Sequence, residues 1–345
     1  MIKLLIPGLL LLIACEKKES EETCSQTIGD TLMVSTPSAV GVDSHKIAFG
    51  IAKANSALYI YSLLILKNNL IISENYFKGK TANDVYSVRS VTKTVVSILT
   101  GIAIKENKIK SIDKRVKDFF PEYFYSTTDP LANQITIEHL LTMTTGYKWF
   151  EISDRLYGNR IEWAINLPMD TIPGKKFNYS SAVPHILSGI ITEATHVSTL
   201  DYASENLFQP LQIQTPLWDK DPQGYYYGGT GLSLTARDMA KIGFLYLNEG
   251  CYAGQRIVNS SWVDSSAVDQ ANGYGYGYLW WIGQSSVYSY YYALGFGGQM
   301  IFVVPDLALV MVATADPVVN AAESEQTITL ITDIFENNII PAFLN

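Results

Sequence analysis

The sequence predicts an α+β chain: an antiparallel sheet flanked by helices, assembled from both ends of the polypeptide, with a helical lobe inserted between them. Three observations carry this. Runs rich in apolar and aromatic residues occupy 58–66 and 70–77, joined by the turn residues Lys67, Asn68 and Asn69, which is a hairpin pattern. Similar β-type runs at 274–282, 300–304 and 307–314 lie near the other end, punctuated by glycine and by Pro305-Asp306. Between the two sets, helical periodicity dominates. A hydrophobic content of 48% against 17% charged residues supplies a core and excludes disorder for the bulk of the chain. At 345 residues, the chain suits two domains or one large domain of two lobes.

Taken in order, residues 1–14 read as a signal peptide. Lys3 is its cation, and the apolar run that follows, ~11 positions, is too short to span a bilayer as a helix. The run ends in Leu12-Ile13-Ala14-Cys15, which resembles a bacterial lipobox; that likeness implies cleavage before Cys15, lipidation of Cys15 and attachment to the cell envelope, facing the periplasm or the cell surface. Residues 15–31, opening on EKKESEE after the cysteine, form a charged solvated tether. An oxidising compartment would allow Cys24 and Cys251 to pair, but Cys24 falls in the tether and is expected to stay apart. The folded domain then covers 32–345, with an α/β lobe from about 32–110 and 273–345 and a helical lobe from about 111–272.

Within that domain Val91, Val95, Ile98, Leu99 and Ile102 recur at helical spacing, as do Val183, Ile186, Leu187, Ile190, Ile191 and Ala194. Residues 238–247 and 324–337 give two further helices. Lys and Arg total 25 against 33 Asp and Glu, a net charge of −8, which argues against a nucleic-acid partner. Three cysteines without a C-x-x-C pair and four histidines without H-E-x-x-H point away from a zinc site, and no metal or organic cofactor is expected. His45, His139, His185 and His196 are read as packing or surface residues, and Arg237-Asp238 as an ion pair at a helix start.

Ser90-Val91-Thr92-Lys93 opens the first helix. Residues three apart share a helix face, so the lysine amine can reach the serine hydroxyl one turn back. A serine becomes nucleophilic when a neighbouring base accepts its proton, and lysine is such a base when uncharged. A second match, Ser111-Ile112-Asp113-Lys114, lies between polar segments and reads as a surface turn. Taken alone, the spacing is weak evidence, and Ser90 reads more readily as a helix N-cap serine.

Longer blocks separate these readings. The stretches VYSVRSVTKTVVSILTGIAI, IKSIDKRVKDFFPEY, ITIEHLLTMTTGY, GGTGLSLTARDMAKIGFLYLNEG, YGYGYLWW and GFGGQMIFVVPDLALVMV occur in order between Leu32 and Leu344. Together they resemble the serine hydrolases of the β-lactamase and penicillin-binding-protein-like superfamily, with class C β-lactamases, D-Ala-D-Ala carboxypeptidases, esterases and nylon-oligomer hydrolases among them. The resemblance implies a site between the two lobes, with Ser90 as nucleophile, Lys93 as base and Tyr179 as a proton-transfer partner. It also implies an oxyanion hole built from the N–H groups of Ser90 and Phe296.

Two motifs depart from that pattern. The Y-x-N element is Tyr179-Ser180-Ser181 here, so Ser181 replaces an asparagine that holds a substrate amide. The third element, K-T-G or H-x-G, is best matched by Ala293-Leu294-Gly295, without the cation that would meet a substrate carboxylate. Aromatic clusters at Tyr147 to Phe150, Tyr225 to Tyr227 and Tyr288 to Tyr292 either rim a pocket or pack the sheet. The expected activity is hydrolysis of a small-molecule amide or ester through an acyl-enzyme. The alternatives are a catalytically weak or inactive envelope binding protein on the same fold, or a β-lactamase or D-Ala-D-Ala carboxypeptidase.

Overall fold

The computed structural model describes residues 24, 32–125, 128–148, 158–214 and 216–344. The signal peptide, Cys15, the tether apart from Cys24, and the aromatic residues Trp149 and Phe150 lie outside the described residues.

The chain enters through β1 (Met33–Val34) and α1 (Ser44–Ser56), then forms β2 (Ile60–Lys67), β3 (Leu70–Tyr76), β4 (Val85–Ser87) and α2 (Val91–Lys105). Helices α3 (Ile137–Leu141), α4 (Arg160–Ile165), α5 (Ala182–Thr195) and α6 (Thr199–Ala203) follow. Next come β5 (Ser233–Thr235), α7 (Ala236–Leu247), the short pair β6 (Cys251–Tyr252) and β7 (Gln255–Arg256), and α8 (Ser260–Ser266). The chain closes with β8 (Trp281–Gln284), β9 (Ser289–Gly295), β10 (Gln299–Val304), β11 (Leu309–Ala315) and α9 (Ala321–Ile334).

Seven strands form one sheet in the order β1-β3-β2-β11-β10-β9-β8. All neighbours are antiparallel except β1 against β3. The sheet is therefore built from both chain ends, with β2 beside β11 and Leu64 opposite Val312. The predicted hairpin turns through Asn68 and Asn69, both left-handed (φ 47° and 68°), the pairing that matches the twist of a two-residue hairpin. β2 is buried on both faces. Leu64 and Leu66 join the core beneath α2, α5 and α7, while Leu63 and Ile65 join the core beneath α1 and α9. Successive side chains of a strand point to opposite faces, which is why this strand reads as a continuous apolar run.

α2 is the central helix: every residue from Val91 to Ala103 is buried. It is enclosed all round, more completely than its apolar stripe implies. Gly101 makes room for the Trp262 indole, since a Cβ there would sit 2.6 Å from its Cγ. α7, within the span read as the helical lobe, lies across the sheet, with Gly243 against Val310 and Ile301. It begins with a capping box between Thr235 and Asp238, and α9 begins with one between Asn320 and Glu323.

Three expectations need correction. Residues 274–282 are not a strand; only Trp281–Gln284 is. Gly273, Gly275 and Leu279 take left-handed φ values of 90°, 67° and 60°, which turn the chain repeatedly before β8. Arg237 does not pair with Asp238 but grips Glu74 on β3 through two bonds of 2.7 Å, because adjacent helix residues do not face each other. Cys24 and Cys251 form a disulfide, with Cα atoms 5.8 Å apart. The charge of the tether implied solvation but said nothing of where Cys24 returns to the body, which is the start of β6.

Candidate active site

The site begins at the N-terminus of α2. Arg89 has φ 50°, a left-handed conformation that costs energy for a residue with a Cβ. Its guanidinium donates to the Pro317 carbonyl. The next residue, Ser90, occupies the N-cap position, yet its side chain makes no capping bond. Its Oγ instead receives a 2.7 Å hydrogen bond from Lys93 Nζ. The N-cap explanation of Ser90 therefore fails, and the S-x-x-K spacing produces the contact that helix geometry predicts. The competing Ser111 lies beside Asp113 on the surface, and Lys114 reaches Asp118.

Lys93 is 1% exposed. Besides Ser90, its Nζ donates to the Gly229 carbonyl at 2.8 Å and to Ser181 Oγ at 3.0 Å. All three acceptors are uncharged oxygens. Ser181, the departure from the Y-x-N pattern, thus faces the lysine. Tyr179 lies on the same cluster, with its ring centroid 4.9 Å from Lys93 Nζ. It presents its face to the nitrogen, and among the described residues its phenol oxygen makes no hydrogen bond.

Gly295 ends β9 against the backbone of Val88, and a Cβ there would stand 3.2 Å from Arg89 Cβ. The strand thereby runs close beside the serine loop. Among the described residues, the backbone N–H groups of Ser90 and Phe296 find no acceptor, leaving two donors at the start of α2 and the end of β9. The Phe296 side chain is exposed. Ala293 is buried on β9 opposite Ile301 and supplies no charge.

One wall is aromatic. Tyr179 stacks on Trp281 with centroids 5.5 Å apart, Tyr276 meets Trp281 edge-on at 4.7 Å, and Phe177 stacks on Tyr274 at 5.3 Å. Of the clusters singled out from sequence, Tyr147 is core, its Oη donating to the Ile165 carbonyl. Tyr290 and Tyr291 are buried against the sheet. The wall comes from the YGYGYLWW segment, whose glycine turns fold Tyr274, Tyr276 and Trp281 back on one another.

Sequence reading missed Gly229 and the buried pair His185–Asp221. His185 Nε2 lies 3.0 Å from Asp221 Oδ2. Burial opposes ionisation of Asp221, but hydrogen bonds from His185 and from the N–H groups of Tyr225 and Gln223 outweigh it and hold the carboxyl below its usual range. The only hint was the GGTG block downstream. His139, by contrast, helps cap α3, and burial lowers its pKa. His45 and His196 are exposed. Among the described residues no group of three His, Cys, Asp or Glu side chains could hold a metal.

The Beta-lactamase family model matches residues 61–334 of this chain. The chain belongs to the β-lactamase family. Its relatives in the family include the 6-aminohexanoate-dimer hydrolase of Paenarthrobacter ureafaciens, 26% identical over 221 residues; the match covers 59% of this chain and 56% of that protein, little more than half its length. An uncharacterized protein of Alkalihalophilus pseudofirmus is 23% identical over 296 residues, covering 73% of this chain and 82% of the relative. Among solved structures, an octameric penicillin-binding protein homologue from Pyrococcus abyssi superposes with a TM-score of 0.64 at 18% identity, over 84% of this chain and 76% of that one. EstCE1, a hydrolase with promiscuous acyltransferase activity, gives 0.65 at 15% identity, over 83% and 98%. These likenesses show the shared α/β fold.

Proposed function

We propose that the chain is an exported serine hydrolase that cleaves a small amide or ester through an acyl-enzyme. The observation that carries this reading is the buried Lys93 amine, 2.7 Å from the Ser90 hydroxyl. When Lys93 is uncharged it keeps two N–H bonds for Gly229 and Ser181, and the third contact reverses, its lone pair accepting from the Ser90 hydroxyl. Ser90 Oγ attacks the substrate carbonyl carbon while its proton passes to Lys93 Nζ. A general base of this kind contributes about 10²–10⁴-fold. The oxyanion is received by the N–H groups of Ser90 and Phe296, each donor worth about 3–4 kcal/mol. The intermediate collapses by breaking the C–N or C–O bond, and the proton returns from the ammonium to the leaving group, directly or through the Tyr179 phenol. Water then attacks the acyl carbon, gives its proton to Lys93, and releases the acid as Ser90 regains its hydrogen. The Tyr179 ring face stabilises the ammonium formed in both halves, by about 0.5–2 kcal/mol.

The apolar Ala293 and the hydroxyl of Ser181, in place of a cation and an amide, favour a small amide or ester over β-lactams and D-Ala-D-Ala peptides. Export and anchoring through Cys15 belong to the same proposal. They are supported by the pattern of residues 1–15 and by a disulfide of the kind that persists in oxidising compartments. A fluorophosphonate probe tests the chemistry: mass spectrometry should find one adduct, on Ser90, absent in Ser90→Ala and formed far more slowly in Lys93→Ala. Label on Ser111, or none, overturns the reading and leaves a binding protein on a hydrolase fold. Rapid opening of a penicillin ring would reverse the ranking of substrates.

A further inference from the structure

The His185–Asp221 pair takes no part in the chemistry above, yet it is bonded to the loop that holds Lys93. Asp221 accepts hydrogen bonds from the N–H groups of Gln223 at 2.9 Å and Tyr225 at 3.0 Å, which anchors its turn. Its Oδ2 meets His185 Nε2 at 3.0 Å. On the other side of the imidazole, Nδ1 lies 3.4 Å from the backbone nitrogen of Gly228. A backbone N–H can only donate, so Nδ1 must accept, and the proton of the neutral ring sits on Nε2, facing the carboxylate. The residue after Gly228 is Gly229, whose carbonyl holds Lys93 Nζ at 2.8 Å.

The two glycines are pressed onto the beginning of α5, the helix that carries His185. A Cβ at Gly228 would lie 2.9 Å from His185 N, and one at Gly229 would lie 3.0 Å from the Ser181 carbonyl carbon. On either side, Tyr227 and Gly231 bond to Asp219 and the Tyr227 carbonyl accepts from Trp218, while for the Gly228 N–H the acceptor among the described residues is His185 Nδ1. Tyr227 covers the imidazole, with centroids 5.3 Å apart.

We propose that His185, its tautomer set by Asp221, is a positioning residue: it fixes Gly228-Gly229 so that the Gly229 carbonyl aims Lys93 at Ser90. This rests on the reading that Lys93 serves Ser90. Two substitutions divide the roles of the ring. In His185→Asn, the amide oxygen falls near the position of Nδ1 and can still accept from Gly228. In His185→Gln, the amide nitrogen falls near Nε2 and serves Asp221 alone.

The rate of Ser90 acylation by a saturating fluorophosphonate should fall by about 10–100-fold in His185→Gln, since displacements near 1 Å carry penalties of that order. His185→Asn should stay within about threefold of wild type, and the Gly228 amide should exchange with deuterium slowly in wild type and His185→Asn but faster in His185→Gln. Equal acylation rates in the two variants, whether fast or slow, overturn the proposal. If wild-type Ser90 takes no probe, the catalytic reading fails instead, and Gly228 exchange decides alone, equal protection in both variants refuting the contact. Nitrogen-15 NMR of wild-type His185 is independent of how the variants fold: a proton on Nδ1 also refutes it.

Discussion

Replacing Gly228 by alanine tests how tightly the Lys93 amine depends on one backbone contact. The φ of Gly228 lies outside the left-handed region, so a methyl group there acts through space alone. The new Cβ would stand 2.5 Å from the Pro184 carbonyl carbon, closer still to its oxygen, and 2.9 Å from His185 N. Ordinary contact begins near 3.4 Å, so the loop and α5 must part by more than about 1 Å. Those neighbours are helix backbone and cannot rotate aside. The adjoining carbonyl of Gly229 sits 2.8 Å from Lys93 Nζ; a shift of about 1 Å takes it to roughly 3.8 Å, beyond hydrogen-bond range. Overpacking of this kind costs about 1–3 kcal/mol of stability, a fall in Tm of roughly 1–4 °C for a chain of this length. If Lys93 is the base proposed above, misplacing it should slow acylation of Ser90 by about 100-fold. The assay is the time course of probe adduct on Ser90, read by mass spectrometry beside a thermal unfolding curve. A variant that labels at the wild-type rate would refute the dependence of Lys93 on this loop, and an unchanged Tm would refute the packing as well.

Three further outcomes are expected. The Cys24–Cys251 bond closes a loop of 227 residues, worth up to about 5 kcal/mol of chain entropy, so Cys251→Ser should lower Tm by up to roughly 8 °C; an unchanged Tm, with two titratable thiols in the native wild-type protein, rejects the bridge. The Asp221 carboxyl is held below its usual range in the fold, so its stabilisation is complete above about pH 4 and is lost as pH falls towards the lower folded value. Denaturant unfolding of wild type and Asp221→Asn should differ most at neutral pH and converge in acid; a gap independent of pH contradicts this. Gly101→Ala drives a methyl into Trp262 and should cost about 1–3 kcal/mol, while Ser90, at the other end of α2, keeps its probe reactivity within about threefold.

Much of this protein was legible from its chain because the informative features are local. The proposed nucleophile and base, Ser90 and Lys93, lie three residues apart on one helix, so their 2.7 Å contact follows from helical pitch once α2 is recognised. The hairpin of β2 and β3 is written in two asparagines that tolerate left-handed φ. The joining of the first hairpin to the last strands follows from apolar runs at both ends with helices between them.

Tertiary structure alone decided the rest. Gly229 is 136 residues from Lys93 and Asp221 is 36 from His185; neither spacing has a periodicity that would betray a contact. Cys24 sits in a segment whose composition says only that it is solvated, and Arg237 chose Glu74, 163 residues away, over its own neighbour. Local sequence reports which backbone conformations and faces are favourable over a few residues. Which carbonyl completes the shell of a buried amine depends on how separate elements settle against one another, and that is determined by packing across the whole fold.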